Sequence, residues 1–156
     1  MPDLSVSASH AAGTKWAAAW SQTSPQVWTS LYTPSATYSD YAFGFIRRGH
    51  AGLKSHFEIW RTAHPDFLMT VTEAWPGIDL GDGLVKYSIR TSNQGTFTND
   101  LPTLKASGKK FDFYAVVDLV VRSEDGLVVK VEEWYHRSID YGKLLERDAP
   151  VASSSL

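Results

Sequence analysis

Asp118 is a carboxylate in the middle of an otherwise apolar strand. It belongs to the stretch FDFYAVVDLVVRSEDGLVVKVEEWYHR (residues 111–137), which predicts two long strands, the second of which contains Glu133. Within it, Asp125-Gly126 predicts a two-residue hairpin turn, because this dipeptide readily adopts the positive φ angles that such turns need. With that turn, Asp118 and Glu133 face each other about 5 Å apart on one side of the sheet, where like charges are destabilising. We therefore expect one of the two carboxyls to stay protonated, as a general acid does.

The direction in which Asp118 points depends on which face of its strand is buried. In one orientation the apolar face packs into the core and Asp118 faces water; in the other, Asp118 lines a cavity and the apolar face meets a dimer partner. We favour the second orientation, because Tyr114, Val116 and Val120 flank Asp118 and do not suit a solvent surface. Glu133 shares this face only in the register above, since a bulge or a longer loop would make it a surface charge. The apolar face consists of Phe113, Ala115, Val117, Leu119 and Val121.

The composition excludes several classes of function. The chain has 156 residues, a length typical of one domain, and its formal charge of -2 gives no reason to expect nucleic acid or an anionic membrane as a partner. It has no cysteine, which excludes disulfides and thiolate chemistry. No apolar run reaches the length of about 18 residues of a membrane-spanning helix, and no signal peptide is evident. We predict a soluble cytoplasmic protein with one domain at residues 11–148 and flexible tails at residues 1–10 and 149–156.

The order of hydrophobic patterns predicts helices followed by a mostly antiparallel sheet, which is the α+β class. Trp16 and Trp20 lie four residues apart on one face of the first helix. A second long helix, residues 50–64, carries an apolar stripe with His56 beside it. The other predicted elements are a short helix (25–32), strands at 36–41, 66–75, 84–92 and within 111–137, and a last short helix (138–148).

Five segments occur along the chain in a distinctive order: LYTPSATYSDY, RRG at the start of a helix, HPDF, ASGKKFDF and DLVVRSEDGLVVKVEEWY. Together they resemble the nuclear transport factor 2-like superfamily, and within it the SnoaL-like polyketide cyclases and ketosteroid isomerase. The resemblance spans residues 16–145. It implies a cone in which about three helices cap a strongly curved, mostly antiparallel sheet around a pocket.

The resemblance also implies roles for individual residues. Asp40 matches the carboxylate that abstracts a proton in ketosteroid isomerase, and Asp118 matches the protonated carboxyl that donates to the substrate oxygen. In SnoaL-like cyclases the position of Asp118 likewise holds the acid/base aspartate. Trp16 stands where the isomerase has a tyrosine that stabilises the oxyanion, and His56 replaces a phenylalanine of the pocket wall. These two differences count against steroid isomerisation as such.

We predict an enzyme that isomerises, cyclises, dehydrates or rearranges a carbonyl-bearing secondary metabolite, such as a polyketide or a terpenoid. In this hypothesis Asp40 takes a proton and neutral Asp118 donates to the developing oxyanion. His56 is a base, a hydrogen-bond donor or a packed core residue. The predicted catalytic residues are Asp40, Asp118, Glu133 and His56. The predicted contacts with a small hydrophobic substrate are Trp16, Trp20, Tyr38, Trp60, Tyr114, Val116 and Tyr135.

Two alternative functions and several absences complete the expectations. A module that only binds a ligand or a protein is also compatible with the fold, since fold alone does not decide function. An epoxide hydrolase would need an Asp-Arg-Asp arrangement, for which Arg90 or Arg122 would have to supply the arginine. We expect no metal, because His50 and His56 fall on different faces of their helix, and no cofactor, because no nucleotide-binding motif occurs. We expect a homodimer formed through the sheet.

Overall fold

The structure, a computed structural model, describes residues 1–137. Within this range the chain forms three helices and seven strands, and the α+β class predicted from the sequence is confirmed. The elements are α1 (Val6–Trp20), α2 (Pro25–Thr29), β1 (Tyr32–Asp40), β2 (Phe45–Arg48), α3 (Gly49–Ala63), β3 (Leu68–Ala74), β4 (Ile78–Gly81), β5 (Leu84–Thr96), β6 (Lys110–Arg122) and β7 (Val128–Tyr135).

The strands form one sheet in the order β2-β1-β7-β6-β5-β3, and β4 pairs with β5. All pairings are antiparallel except that of β1 with β7, which joins the first and the last described strands. Helix α1 packs against β3 and β5, and α3 packs against β1, β2 and α2. The sheet and helices therefore enclose one core, as expected for the fold.

Helix α1 begins at Val6, inside the segment that was predicted to be a flexible tail. The hydroxyl of Ser5 accepts a hydrogen bond from the amide of Ala8 at 3.1 Å, which is a standard N-terminal cap. The backbone carbonyl of Asp3 accepts a further bond from the hydroxyl of Tyr87 at 2.7 Å. The prediction of a flexible tail over residues 1–10 is wrong, because these contacts tie the start of the chain to β5. The predicted helix at 138–148 and tail at 149–156 lie outside the described residues.

The hairpin of β6 and β7 differs from its prediction in both turn and register. The turn spans four residues, 123–126, closed by a hydrogen bond of 2.9 Å from the amide of Arg122 to the carbonyl of Leu127. Beyond it Val121 pairs with Val128 and Val120 pairs with Lys130, so that Val129 is the extra residue of a β-bulge. Compared with the predicted two-residue turn, the two added turn residues do not change which side chains of β6 and β7 share a face. The single residue of the bulge does reverse this assignment.

As a result, Asp118 pairs with Glu132, and Glu133 pairs with Val117 instead. The predicted pairing of Asp118 with Glu133 is therefore wrong. Val117 and Glu133 are both buried, and they mark the inner face of the hairpin.

The apolar face of β6 forms part of the core, and this corrects three further predictions. Its side chains, from Phe113 to Val121, are at most 5% exposed. On the opposite face Tyr114 and Val116 are 49% and 41% exposed, so they do not line a cavity, and neither does Asp118. The apolar face is not a dimer surface either. Burial of one large aliphatic side chain stabilises a fold by about 1.5–3 kcal/mol, which favours this orientation of the strand.

Candidate active site

Two carboxyl groups lie next to each other on the inner face of the sheet. The parallel strands β1 and β7 pair Asp40 with Glu133, which places the two side chains on the same face. Both residues are buried, with exposures of 2% and 5%. Like charges so close together in an apolar core repel each other, so the two groups do not ionise independently.

Asp40 ends β1, and the turn that follows holds its carboxylate in place. One carboxylate oxygen accepts a hydrogen bond from the amide of Phe43 at 3.0 Å, and the other accepts from the hydroxyl of Tyr135 at 2.9 Å. Burial raises the pKa of Asp40 above its usual value, while these two donors and the charge of Arg137 act in the opposite direction. Asp40 therefore has the environment of a strengthened base that keeps hydrogen bonds to its charged form.

Glu133 has no comparable set of donors. The hydroxyl of Tyr38 donates to one of its oxygens at 2.5 Å. Burial, followed by the charge of Asp40, raises the pKa of Glu133 to about 8, and the bond from Tyr38 opposes this rise. Glu133 is therefore protonated at neutral pH, and the hydrogen on its carboxyl is available for donation.

His56 comes from the buried stripe of α3 and adds a neutral imidazole to the site. Its ring centroid lies 4.6 Å from that of Tyr38 and 5.5 Å from that of Trp20. Burial, with a contribution from the charge of Arg47, lowers the pKa of His56 to about 3. The imidazole is therefore uncharged at neutral pH and acts as a hydrogen-bonding group there.

Two cavities that share part of their lining, an inner and an outer chamber, contain these groups. The inner chamber has a volume of about 10 Å³, room for about one water molecule, and is lined by Asp40, Glu133 and His56 together with aromatic side chains. The outer chamber has a volume of about 260 Å³. Asp40, His56 and Trp60 line both chambers, and we call the region beside these three residues the junction. The other residues of the outer chamber are Phe43, Phe45, Arg47, Ile59, Leu101, Pro102 and Thr103.

Two side chains of the inner chamber have a buried polar atom without a partner among the described residues. These atoms are the indole nitrogen of Trp20 and the side-chain oxygen of Asn93. The amide nitrogen of Asn93 donates to the hydroxyl of Thr91 at 2.9 Å, which assigns its orientation. Buried polar groups are nearly always hydrogen-bonded, so one unpaired donor and one unpaired acceptor suit a chamber that receives a polar group.

The structure brings together most, but not all, of the residues predicted for the site. Asp40, Glu133 and His56 line the inner chamber, as do Trp20, Tyr38, Trp60 and Tyr135. Trp16 does not line either chamber, and its indole N–H donates to the hydroxyl of Tyr32 at 2.7 Å inside the core. The predicted contact of Trp16 with the substrate is therefore wrong.

Asp118 lies on the outer face of the sheet, where it has other partners. The hydroxyl of Ser88 donates to its carboxylate at 2.6 Å, and the ammonium of Lys86 lies 3.5 Å away. These groups satisfy the charge of Asp118 at the protein surface. The hypothesis that a protonated Asp118 donates to a substrate loses its structural basis.

The two arginines considered for epoxide hydrolysis also lie away from the cavity lining. Arg90 pairs with Glu73 at 3.0 Å and lies over the ring of Tyr114 on the outer face. Arg122 binds Asp125 beside the hairpin turn. Neither of them forms an Asp-Arg-Asp arrangement with Asp40.

Sequence reasoning missed Asn93 and Arg47. Asn93 continues the inward alternation of Tyr87, Ile89 and Thr91 along β5, and this period of two would have identified it. Arg47 lies in a strand of only four residues between two glycines, a segment for which neither a helix nor a strand was predicted. Its orientation follows from the pairing of β2 with β1, which a sequence pattern does not show.

The described residues contain no group of three or more His, Asp or Glu side chains arranged to hold a metal ion. Within the same range, the helices are too short or too polar to cross a membrane.

The chain belongs to the SnoaL-like domain family, whose family model matches residues 14–131. Solved structures share its fold, which is that of the nuclear transport factor 2-like superfamily. One is a hypothetical protein with a ketosteroid isomerase-like fold from Catenulispora acidiphila, in complex with trimethylamine. It is 23% identical, with a TM-score of 0.64 over 81% of this chain and 86% of that one.

Two further structures carry names that refer to cyclases. A proposed SnoaL-like polyketide cyclase from Jannaschia sp. CCS1 is 13% identical, with a TM-score of 0.65 over 83% of this chain and 85% of that one. The epoxide hydrolase/cyclase-like enzyme SalBIII, which is linked to pyran ring formation in salinomycin, is 15% identical, with a TM-score of 0.63 over 85% and 93% of the two chains. Identities this low establish the fold alone. No curated protein has a significantly similar sequence.

Proposed function

We propose that this protein is an enzyme that moves protons on a small carbonyl compound, using Asp40 as the base and Glu133 as the acid. The observation that carries the proposal is the adjacency of these two buried carboxyls, of which one keeps donors to its charged form and the other has a pKa of about 8. A pair of carboxyls with different proton affinities can run acid and base steps at the same pH. In this proposal Glu133 is the acid, whereas the sequence had indicated Asp118 for that role.

The dimensions of the two chambers suggest how a substrate binds. A carbonyl oxygen is about the size of the single water for which the inner chamber has room, while the outer chamber accepts the rest of a small molecule. The carbon next to the carbonyl then lies near the junction, where Asp40 is one of the lining residues. In this pose Asp40 faces the proton to be removed and Glu133 faces the oxygen.

The chemistry then begins with a proton transfer. Asp40 removes a proton from the carbon next to the carbonyl, and negative charge develops on the oxygen. The neutral carboxyl of Glu133 donates to that oxygen, and the unpaired indole N–H of Trp20 is a second donor on the same chamber. Where a carbon–carbon double bond extends the enolate, return of the proton from Asp40 to the far carbon of the conjugated system is an isomerisation. Attack of the enolate carbon on a second carbonyl, whose oxygen then takes up a proton, is a cyclisation.

Polyketides and related secondary metabolites contain such carbonyl groups, and the names of two structural neighbours point to the same class. The steps above need no redox partner, and a metal has no part in them.

Exchange of hydrogen for deuterium next to a carbonyl tests this proposal without knowledge of the natural substrate. Simple cyclic ketones such as cyclohexanone and 2-tetralone are incubated with the protein in heavy water, and proton NMR follows the loss of signal. We expect the protein to accelerate exchange and Asp40→Asn to slow it by about a hundredfold or more. Exchange at the rate of buffer alone, or an undiminished rate in Asp40→Asn, would overturn the proposal.

A binding module without catalysis is the second candidate, and one observation favours it. The inner chamber is narrow, so a ligand confined to the outer chamber would touch Asp40 but not Glu133. Such a protein would bind ketones without accelerating exchange. The deuterium experiment therefore separates the two candidates when binding is measured in the same samples.

A homodimer formed through the sheet stays a prediction. The surface available for it is the outer face, where Tyr114, Val116 and Trp134 are 41–49% exposed.

A further inference from the structure

Arg47 points to the inside of the cone, unlike its neighbours in β2. Strand β2 pairs Arg47 with Tyr38, whose side chain is fully buried on the inner face of the sheet. Ile46 is 52% exposed and Arg48 is exposed as well, as the alternation of a strand requires. Arg47 accordingly lines the outer chamber together with Phe45 and Ile59.

The guanidinium of Arg47 has no acidic partner in the part of the chain that the structure describes. It forms no ion pair and no hydrogen bond there, and its Nε atom is buried without an acceptor. Its contact is with the ring of Phe45, whose centroid lies 4.4 Å from the central carbon of the guanidinium. Arg47 as a whole is half-buried, and a buried donor such as its Nε without an acceptor is unfavourable, which makes Arg47 a candidate for binding an anion.

Asp40 and His56 line the same chamber as Arg47 but do not neutralise it. Asp40 forms no ion pair with Arg47, and its two oxygens already accept from Phe43 and Tyr135. His56 is uncharged at neutral pH, partly because of the charge on Arg47. The cation and the proposed base are thus separate groups on the wall of one chamber.

A second cation lies near the outer chamber. The guanidinium of Arg137 lies 5.0 Å from the ring centroid of Phe43, which is another wall residue. The side chain of Arg137 is exposed, so its charge acts on molecules that approach the chamber. Both arginines therefore favour a negatively charged ligand over a neutral one.

We propose that the substrate carries a carboxylate that binds Arg47 in the outer chamber; the inference rests on the proposed function for the placement of the carbonyl group. The planar fork of a guanidinium binds the two oxygens of a carboxylate at once. With the carboxylate on Arg47 and the carbonyl oxygen in the inner chamber, the substrate is held at two ends. The carbon that loses its proton then lies between them, beside Asp40.

In the alternative explanation Arg47 has only a structural role, in which it packs on Phe45 and supports the wall of the outer chamber. That explanation predicts no preference between charged and neutral ligands, since the packing is the same for both. A matched pair of probes distinguishes the two, namely 3-oxocyclohexanecarboxylate and its methyl ester. They share the ring and the ketone and differ in charge.

Binding of both probes is measured by ligand-observed NMR with wild type, Arg47→Met and Arg48→Met. We expect wild type to bind the carboxylate about tenfold or more tightly than the ester, as a hydrogen bond to a charged group allows. Arg47→Met should lose this preference while it binds the ester as before. Arg48→Met, which removes an equal charge from the outward face of β2, should keep the preference. Salt should weaken binding of the carboxylate alone.

Equal binding of acid and ester by wild type would overturn the inference, and this result needs no variant to fold. Loss of the preference in Arg48→Met as strongly as in Arg47→Met would also overturn it, because the effect would then be one of overall charge. Preference for the acid without deuterium exchange would support the role of Arg47 and contradict the proposed catalysis. Deuterium exchange without a preference for the acid would support the proposed catalysis and contradict the role of Arg47.

Discussion

The two faces of the β6–β7 hairpin carry the same kind of side chain in opposite environments. On the outer face Glu132 lies 2.8 Å from the ammonium of Lys130 and accepts from the hydroxyl of Tyr41 at 3.0 Å. The bond to Lys130, with help from that to Tyr41, holds the pKa of Glu132 below its usual value. The next residue, Glu133, turns inward beside Asp40, and its pKa rises to about 8.

The difference shows that the face of the sheet, and not the residue type, determines which carboxyl is an acid. Both glutamates belong to the same strand, and one position separates a solvated anion from a neutral acid. The bulge at Val129 determines which of them faces the core. A protein can therefore change the chemistry of a hairpin by a single residue of register, without any change in composition.

The largest expected effect is on proton transfer. Glu133→Gln should lower the rate of deuterium exchange by about a hundredfold or more, because the amide keeps the shape of the side chain but cannot transfer a proton. Asp118→Asn makes the equivalent change on the outer face, and its rate should equal that of wild type. Proton NMR in heavy water measures both. An equal loss in the two variants would remove the distinction between the faces.

The next effect is on the dependence of stability on pH. In the folded protein Glu133 keeps its proton up to about pH 8, whereas in the unfolded chain it releases the proton near its usual value of 4.5. Between these values unfolding releases a proton, so wild type should lose stability as the pH rises, by up to about 1.4 kcal/mol per pH unit. Glu133→Gln lacks this titrating carboxyl, and its free energy of unfolding should therefore fall less over the same pH range.

Urea unfolding of wild type and Glu133→Gln across that range measures the difference between the two slopes. Burial lowers the pKa of His56 to about 3 and that of His64 to about 4, and because both histidines are present in both proteins their contributions cancel in the comparison. Parallel stability curves would show that Glu133 titrates near its usual value in the folded state.

Direct titration of Glu132 and Glu133 compares the two faces of the hairpin in a single protein. With carbon-13 labels in the glutamate side chains, NMR should show Glu133 titrating at about pH 8 and Glu132 below its usual value of 4.5. Mutation of Asp40 to Asn should lower the pKa of Glu133, because it removes the neighbouring charge that helps to raise it. The two signals are assigned by their loss in Glu133→Gln and Glu132→Gln. Two glutamates with the same midpoint would contradict the contrast between the faces.

The smallest effect concerns the ion pair on the outer face. Asp118→Asn should change the free energy of unfolding by less than about 1 kcal/mol, because partly exposed ion pairs contribute little. Thermal and urea unfolding at neutral pH measure the change, and Lys86→Met is a control that removes the other partner. A loss of several kcal/mol would show that Asp118 has a structural role that its surface position does not explain.

Several residues of the site were predicted from the sequence, some for the correct reason and one for a reason that the structure contradicts. Asp40 was placed by its spacing within a family pattern, and the structure buries it in the cavity. Glu133 was included because of its pairing with Asp118, yet it reaches the cavity through its pairing with Asp40. Trp20 and Trp60 followed from helix periodicity, which short-range geometry dictates.

The errors share one physical cause. Alternation along a strand sorts its residues into two sets but does not say which set is buried. The prediction chose the set with Asp118, although the other set has the larger apolar area. The turn at Asp125-Gly126 was located correctly, but its two additional residues and the bulge at Val129 were not evident from that dipeptide. Arg47 was missed because its direction is set by the pairing of β2 with β1.

The sequence by itself determined the class of fold, the order of helices and strands, and the presence of carboxyls in apolar segments, because these depend on local periodicity and on a family pattern. The tertiary structure alone decided which carboxyls meet. Asp40 and Glu133 are far apart in the chain, and only the parallel pairing of β1 with β7 makes them neighbours. Their protonation follows from that contact, since desolvation and the repulsion of a neighbouring charge arise only when the sheet closes over them.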